Sequence, residues 1–344
     1  MLMNKYLLSS ERLPLILSII LYLLIYLFRL QQGGWDLKID LFRSQREALD
    51  RKISQYLPSP QSELLSGILL GQNKKLPGDL RLALRDTSTL HIVVASGQNL
   101  SMVAGFFLGL SGLIKRKNAI ILSLSAAAVY TLLTGFQIPI LRAALMFTLA
   151  SLAQLFGRGK DSWRVLVITA GLMLLINPSW ISDLSFQLSF LATFGVVVVA
   201  PILLRKLSFM PIIGQDLSVT LAAQIMVMPI IAQNFHQISL VSLFTNVLVL
   251  WTVPFIMIFG TVIIILGSLW DFLGQVLGLG VNILLTYFVY IVHFFASLPF
   301  AWEYIGEQWW IVWLGYYLVV GGVLVMLSLN NGKRSDFREP QESS

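Results

Sequence analysis

His91 stands five residues ahead of Ser96, and Ser96, Gly97, Gln98 and Asn99 follow in an unbroken run inside the apolar stretch from Thr89 to Gly112. Polar groups at membrane depth are costly in hydrocarbon, so these residues are expected to face a bundle interior or a wet cavity. Together they offer an imidazole that can donate or accept, hydroxyl and amide groups, and a Ser-Gly pair able to loosen a helix and free its carbonyls. That chemistry suits the passage of a polar solute. A competing reading is structural, with Ser96 and Gly97 as small residues for close helix packing.

Arg142 lies a turn past Pro139, near one end of its own apolar stretch, with no basic cluster beside it. An isolated arginine there is expected either to be paired, with Asp183 as first partner and Asp79 or Asp86 as others, or to belong to a pathway where it meets a passing phosphate. Gln187, Gln224, Asn246 and Asn282 are neutral amides in apolar surroundings and suit interhelical hydrogen bonds worth about 1 kcal/mol each. Pro139, Pro229 and Pro254 are expected to kink or break their helices and open space.

Bond-breaking chemistry finds little support. His91, His236 and His293 lie in three separate segments, with no His-x-His-x-Asp-His run and no His-Glu-x-x-His pair. No hydrolytic metal site is expected, and therefore no catalytic residue and no cofactor. No Gly-x-x-x-x-Gly-Lys-Ser/Thr phosphate loop is present, so the chain carries no ATP motor of its own. Gly109, Gly112, Gly274, Gly278 and Gly280 suit helix packing instead. Cysteine is absent, which excludes disulfides and thiolate metal ligands.

The elements that position these residues are membrane helices. The 344-residue chain is 56% hydrophobic and only 12% charged, with a mean hydropathy of +0.78. An all-α polytopic membrane protein is expected, with about ten transmembrane helices plus external amphipathic helices. The spans fall at Leu13 to Leu30, Leu90 to Leu113, Ala119 to Thr134, Ile138 to Phe156 and Val165 to Ile176. They continue at Leu184 to Leu204, Leu217 to Phe235, Leu240 to Leu269, Phe272 to Leu298 and Trp309 to Leu329. The first is too long for a removed signal peptide and is taken as an anchor.

Basic residues set the expected orientation. Lys115-Arg116-Lys117, Arg158 with Lys160 and Arg164, Arg205-Lys206 and Lys333-Arg334 fall at every second boundary, which puts both termini in the cytoplasm. Gln31 to Ser88 is then external, its basic residues nearly balanced by acidic ones. Helical spacing of Leu41, Phe42, Ala48, Leu49, Ile53 and Leu57, and of Leu64, Leu65, Ile68 and Leu69, predicts amphipathic helices lying on the outer face. Arg81 and Arg85 share one face of a third helix. With Lys74 and Lys75 they form an external basic collar for polyanions or for anionic lipid headgroups, at about 1 kcal/mol per charge.

The run "LLSGILLGQNKKLPGDLRLALRDTSTLHIVVASGQNLSMVAGFFLGLSGL" from Leu64 to Leu113 resembles the signature of the ComEC competence-protein family. His91, Ser96 and Gly97 fall on that family's His-Leu-Leu-Ala-x-Ser-Gly motif. Further matches are Arg142-Ala143, "LSFQLSFLATFGVVVVAP" from Leu184, "AAQIMVMPII" from Ala222 and Asn246 within "SLFTNVLVLWTVP". The resemblance implies a channel that passes single-stranded DNA into the bacterial cytoplasm across the inner membrane during natural transformation. On that reading His91, Ser96, Gly97, Gln98, Asn99, Arg142, Gln187, Gln224 and Asn246 line the DNA pathway, and Lys74, Lys75, Arg81 and Arg85 guard its mouth. A separate nuclease, DNA receptor and cytoplasmic ATPase or helicase are implied as partners, beside the lipid bilayer.

Three departures from the family pattern stand out. Gln98 and Asn99 replace the Leu-His that usually follows Ser-Gly, residues 31–60 are too few for an oligonucleotide-binding barrel, and no nuclease-like segment follows Leu329. The chain is therefore expected to be a channel core: an anchor over residues 1–31, an external helical segment over 32–88, the channel over 89–329 and a disordered cytoplasmic tail over 330–344. Two other readings stay open, a permease or flippase for a small or lipid-linked anionic solute, and a non-conducting scaffold for competence machinery.

Overall fold

A computed structural model describes residues 13–33, 40–94, 96–157, 161–207, 209–210 and 214–335. The chain is an all-α polytopic membrane protein. Seven helices among the described residues are long and apolar enough to cross a membrane. They are α7 (Arg116–Thr134), α8 (Ile138–Leu155), the continuous Leu184–Lys206 formed by α10 (Leu184–Phe194) and α11 (Ala200–Lys206), α12 (Gly214–Phe235), α14 (Thr252–Leu269), α15 (Asp271–Ala296) and α16 (Trp310–Ser335). α9 (Ser162–Ile176) is apolar but shorter, as is the stretch Leu17–Gln32 of α1 (Leu13–Gln32). With the interrupted pair α5 (Leu90–Val93) and α6 (Gly97–Gly109), they account for the ten spans read from the sequence. Helix α16 runs on to Ser335, into the stretch expected as a disordered tail; residues 336–344, with 1–12, lie outside the described residues.

Local chemistry sets the helix ends. Ser96, Asp161 and Asp183 cap α6, α9 and α10 by accepting from the backbone N–H groups of Asn99, Arg164 and Phe186. Gly71 and Gly135 end α3 (Gln61–Leu70) and α7 in the left-handed conformation, with φ of +71° and +80°. Pro139 and Pro254 fall in the first turns of α8 and α14, where a missing N–H costs nothing, so neither kinks a helix interior as expected. Pro229 does sit inside α12. The carbonyl it leaves unpaired, that of Ile225, accepts from the Tyr316 hydroxyl at 3.1 Å, and Met226 next to it accepts from Tyr317 at 2.9 Å.

Two expected spans are broken. Between α5 and α6 the backbone is extended at Val94 and Ser96. The stretch from Leu240 to Leu269 follows a strand, β1 (Gln237–Ser239), and is divided into α13 (Ser242–Leu250), a break at Trp251, and α14. β1 pairs antiparallel with β2 (Trp302–Tyr304), Ile238 opposite Glu303. Sequence periodicity is blind to a pairing of three residues on each side.

Successive crossings from α7 onward place Gly135, the α9–α10 turn, β1, β2 and the C-terminal end of α15 at one end of the bundle, called upper. Lys115 to Lys117, Arg205, Lys206 and Trp270 lie at the lower end. Side chains tie the upper turns together. Gln137 donates to the Gly71 carbonyl at 3.5 Å, Gln237 to Asp86 at 3.4 Å, and Arg29 at the end of α1 donates to the carbonyls of Leu175 and Ile176 at 3.0 and 2.9 Å.

The segment after α1 departs most from expectation. α2 (Arg43–Tyr56) and α3 form an antiparallel hairpin, turned at Pro58-Ser59-Pro60, in which α3 inserts into the bundle and α2 packs along it with one side buried and the other exposed. Asp50 of α2 holds Ser66 of α3, and α3 is enclosed on all sides, with Leu64, Leu65 and Ile68 fully buried. Only Gly260 of α14 leaves room for Leu65 and Leu69 at mid-height, while Gly67 leaves room for Val93 of α5. An amphipathic reading of α3 fails because, beyond its first turn, Ser66 and Gly67 are small enough to be buried too. At the hairpin tip Tyr56 packs on Gly267, Gly274 and Gly278, its hydroxyl 2.7 Å from both the Gly267 carbonyl and the Asp271 carboxylate. α4 (Gly78–Asp86) then packs near the upper end of α15, where Asp79 lies 3.9 Å from His293.

A methyl group at Gly278 would lie 2.8 Å from the Tyr56 carbonyl, whereas Gly280 faces open space. Gly278→Val is therefore expected to lower stability by about 1–3 kcal/mol and Gly280→Val by less than about 0.5 kcal/mol. Thermal unfolding in detergent measures both.

Candidate functional site

The interruption before α6 divides the four polar residues among different tasks. Ser96 accepts from the Asn99 N–H at 3.4 Å, and its hydroxyl donates to Asn99 Oδ1 at 3.1 Å. Asn99, 1% exposed, sends its Nδ2 inward to the carbonyl of Ile68 at 3.0 Å. That carbonyl belongs to the last turn of α3 and has no partner within its own helix. The hydroxyl of Tyr130 approaches it as well, at 3.4 Å. Asn99 thus caps a buried helix end, its amide turned inward to α3. Gln98 points the other way and is exposed, as is Ser101 one turn on.

Gly97 is the point where α6 meets α8. A Cβ there would lie 2.9 Å from Arg142 Nη2, 3.0 Å from Ala143 Cβ and 3.6 Å from the Pro139 carbonyl. The structure therefore brings Gly97 and Arg142 into contact. Arg142 has no ion pair among the described residues, and its Nε is buried without a hydrogen-bond partner. Its guanidinium carbon lies 5.9 Å from the centre of the Phe190 ring, a cation–π distance. The expected pair with Asp183 is not formed, because that carboxylate is engaged at the N-terminus of α10, accepting from Phe186 at 3.1 Å. Asp86 is likewise held by Arg85 and Gln237.

The other candidates are dispersed. His91 is exposed in the short helix α5, its Nδ1 2.8 Å from the carbonyl of Ser88, a residue strained at a φ of +54°. Gln187 donates to the Ile181 carbonyl at 2.9 Å and Gln224 to the Ser242 hydroxyl at 3.0 Å, both local ties between neighbouring elements. Asn246, 2% exposed, holds a buried Oδ1 without a partner. The basic collar is largely spent within the fold. Lys75 pairs with Asp50 and Arg85 with Asp86, and Arg81 donates to the carbonyls of Asn73 and Lys74 at 2.8 and 3.1 Å. Lys74 is exposed.

Sequence reasoning passed over the residues that make this geometry. Phe190 sits one turn after Gln187, a spacing that places both on one face. Asp50 and Arg46 were legible only as members of a balanced-charge segment. Both are buried, Arg46 paired with Asp40 and donating to the Leu133 carbonyl at 3.2 Å. Removing the cap tests its role: Asn99→Leu leaves the Ile68 carbonyl short of its best donor and is expected to cost about 1–3 kcal/mol, Gln98→Ala less than about 0.5 kcal/mol. Thermal unfolding of the two variants side by side reports the difference.

The chain is similar to three curated proteins. It is 28% identical to the Escherichia coli uncharacterized protein YcaI over 76% of this chain and 37% of that protein. It is 29% identical to ComE operon protein 3 of Bacillus subtilis over 58% of this chain and 25% of the relative, and 30% identical to an Aquifex aeolicus uncharacterized protein over 48% and 40%. The chain thus spans between a quarter and two fifths of the length of these relatives. No solved structure matches it. The competence protein family model matches residues 68–330, which takes in the α5–α6 break, Arg142 and Phe190, and the chain belongs to that family.

Proposed function

We propose that this membrane protein is the channel core through which single-stranded DNA enters the bacterial cytoplasm during natural transformation. The observation that carries this reading is Arg142: a cation in a membrane helix, without a carboxylate among the described residues, set against a glycine at a helix break and beside an aromatic ring. An unpaired cation in a membrane helix is costly unless an anion visits it. A DNA strand supplies a phosphate at every nucleotide and bases that stack on rings, so a charge and an aromatic platform suit it without any base readout.

Family membership supports the same reading, as does the name of the Bacillus subtilis relative. On this proposal the upper end faces outward, the basic turns at the lower end receive the strand, and both termini are cytoplasmic at the inner membrane. The chain performs no covalent chemistry. A separate nuclease, a DNA receptor and a cytoplasmic ATPase or helicase supply strand selection and force.

The test is uptake of labelled DNA into the cytoplasm of cells carrying variants at matched membrane levels. Arg142→Gln is expected to lower uptake roughly tenfold, a loss of about 1.4 kcal/mol, and Arg142→Lys to retain part of it. Unchanged uptake in Arg142→Gln refutes the channel reading; loss of a small anionic solute's transport in its place favours a permease.

A further inference from the structure

Helix α2 carries a hydrophilic surface into the height of the membrane bundle. One side of it is buried through Arg46, Asp50, Ile53 and Tyr56. The opposite side presents Ser44, Ala48, Arg51 and Gln55, all exposed and spaced three or four residues apart, with Gln45 and Lys52 beside them. No Leu, Ile, Val or aromatic residue lies on that face.

The depth of α2 follows from its contacts. Arg46 reaches the carbonyl of Leu133 at the upper end of α7. Ten residues on, Tyr56 meets Gly267, Gly274 and Gly278, close to the lower ends of α14 and α15. A helix of 14 residues is about 21 Å long, most of the roughly 30 Å of a hydrocarbon layer. A face bearing two cations at that depth does not border lipid, so it borders water. Neither Arg51 nor Lys52 has an acidic partner among the described residues. The carboxylates of α2 are engaged elsewhere, Glu47 by Arg43 and Asp50 by Ser66 and Lys75.

Resting on the single-stranded DNA reading above, we propose that this face of α2 is the wall of a water-filled passage within the membrane. Arg51 and Lys52 hold the sugar–phosphate backbone of the strand there. Asn99 thus supports the inserted hairpin from within the bundle, while the outer face of α2 meets the strand in addition to Arg142.

The absence of cysteine makes the proposal directly testable in the full chain in cells. Ala48→Cys and Gln55→Cys are expected to react with a membrane-impermeant charged thiosulfonate within about tenfold of the rate of an external-loop cysteine. Ile283→Cys, an exposed apolar position at mid-height of α15, is expected to stay unlabelled. A single-stranded oligonucleotide is expected to slow labelling of Gln55→Cys at least fivefold, and Arg51→Gln with Lys52→Gln to abolish that protection without changing the unprotected rate.

Cysteines at 48 and 55 as silent as the one at 283 overturn the hydrated wall. Free labelling with no protection by DNA overturns the role of Arg51 and Lys52. In either case the channel reading stands if Arg142→Gln still blocks uptake, and falls with the inference if uptake in that variant is normal.

Discussion

The carbonyl at the end of α3 is the constraint around which this fold is arranged. Helix α3 is short, apolar and enclosed, so the backbone groups freed at its C-terminal end find no water. The amide of Asn99 and the hydroxyl of Tyr130 converge on Ile68 to meet that need. For Asn99 to reach inward, α6 has to begin beside α3, which is why the chain breaks between Val94 and Ser96 and restarts with Ser96 as cap. A motif that reads as a polar throat is, in its innermost residue, the satisfaction of a neighbour's backbone.

The same solution recurs through the molecule with tyrosine as the donor. The hydroxyl of Tyr56 meets the Gly267 carbonyl in the last turn of α14, and that of Tyr287 donates at 3.2 Å to Leu248 beside the α13–α14 break. Tyr316 and Tyr317 serve the carbonyls around Pro229. Except at Met226, each site is a helix end or interruption where a carbonyl has lost its ordinary donor. A phenol combines a ring that packs among aliphatic side chains with one proton at its tip, so it reaches such carbonyls without bringing a charge into the bilayer. Glycine supplies the complementary surface, since Gly267, Gly274 and Gly278 let the Tyr56 ring lie directly on two helix backbones.

Much of this architecture was legible from hydropathy alone. The long spans and the break near Ser96 follow from local composition, the family resemblance rests on the quoted motif residues, and Arg142 stands out as an isolated cation in an apolar stretch. The inserted hairpin was not, because α2 has the charge of a surface helix and α3 the length of a turn; only contacts with α14 and α15, some two hundred residues away, decide where they sit. The charge balance of the segment was read correctly but assigned to solvent. Arg46 with Asp40 and Asp50 with Lys75 show that part of it neutralises itself inside the fold. The Arg142–Asp183 pair failed for a local reason: an aspartate directly before a helix is claimed by that helix's own amides.

The enclosure of α3 also orders the birth of the molecule. A ribosome delivers the hairpin long before it delivers α14 and α15, whose glycines form its socket. Until those late helices are inserted, α2 and α3 are held by α5, α6 and α7. Completion of the socket therefore waits for α14 and α15, and a chain ended before them leaves the hairpin without its glycine-lined wall.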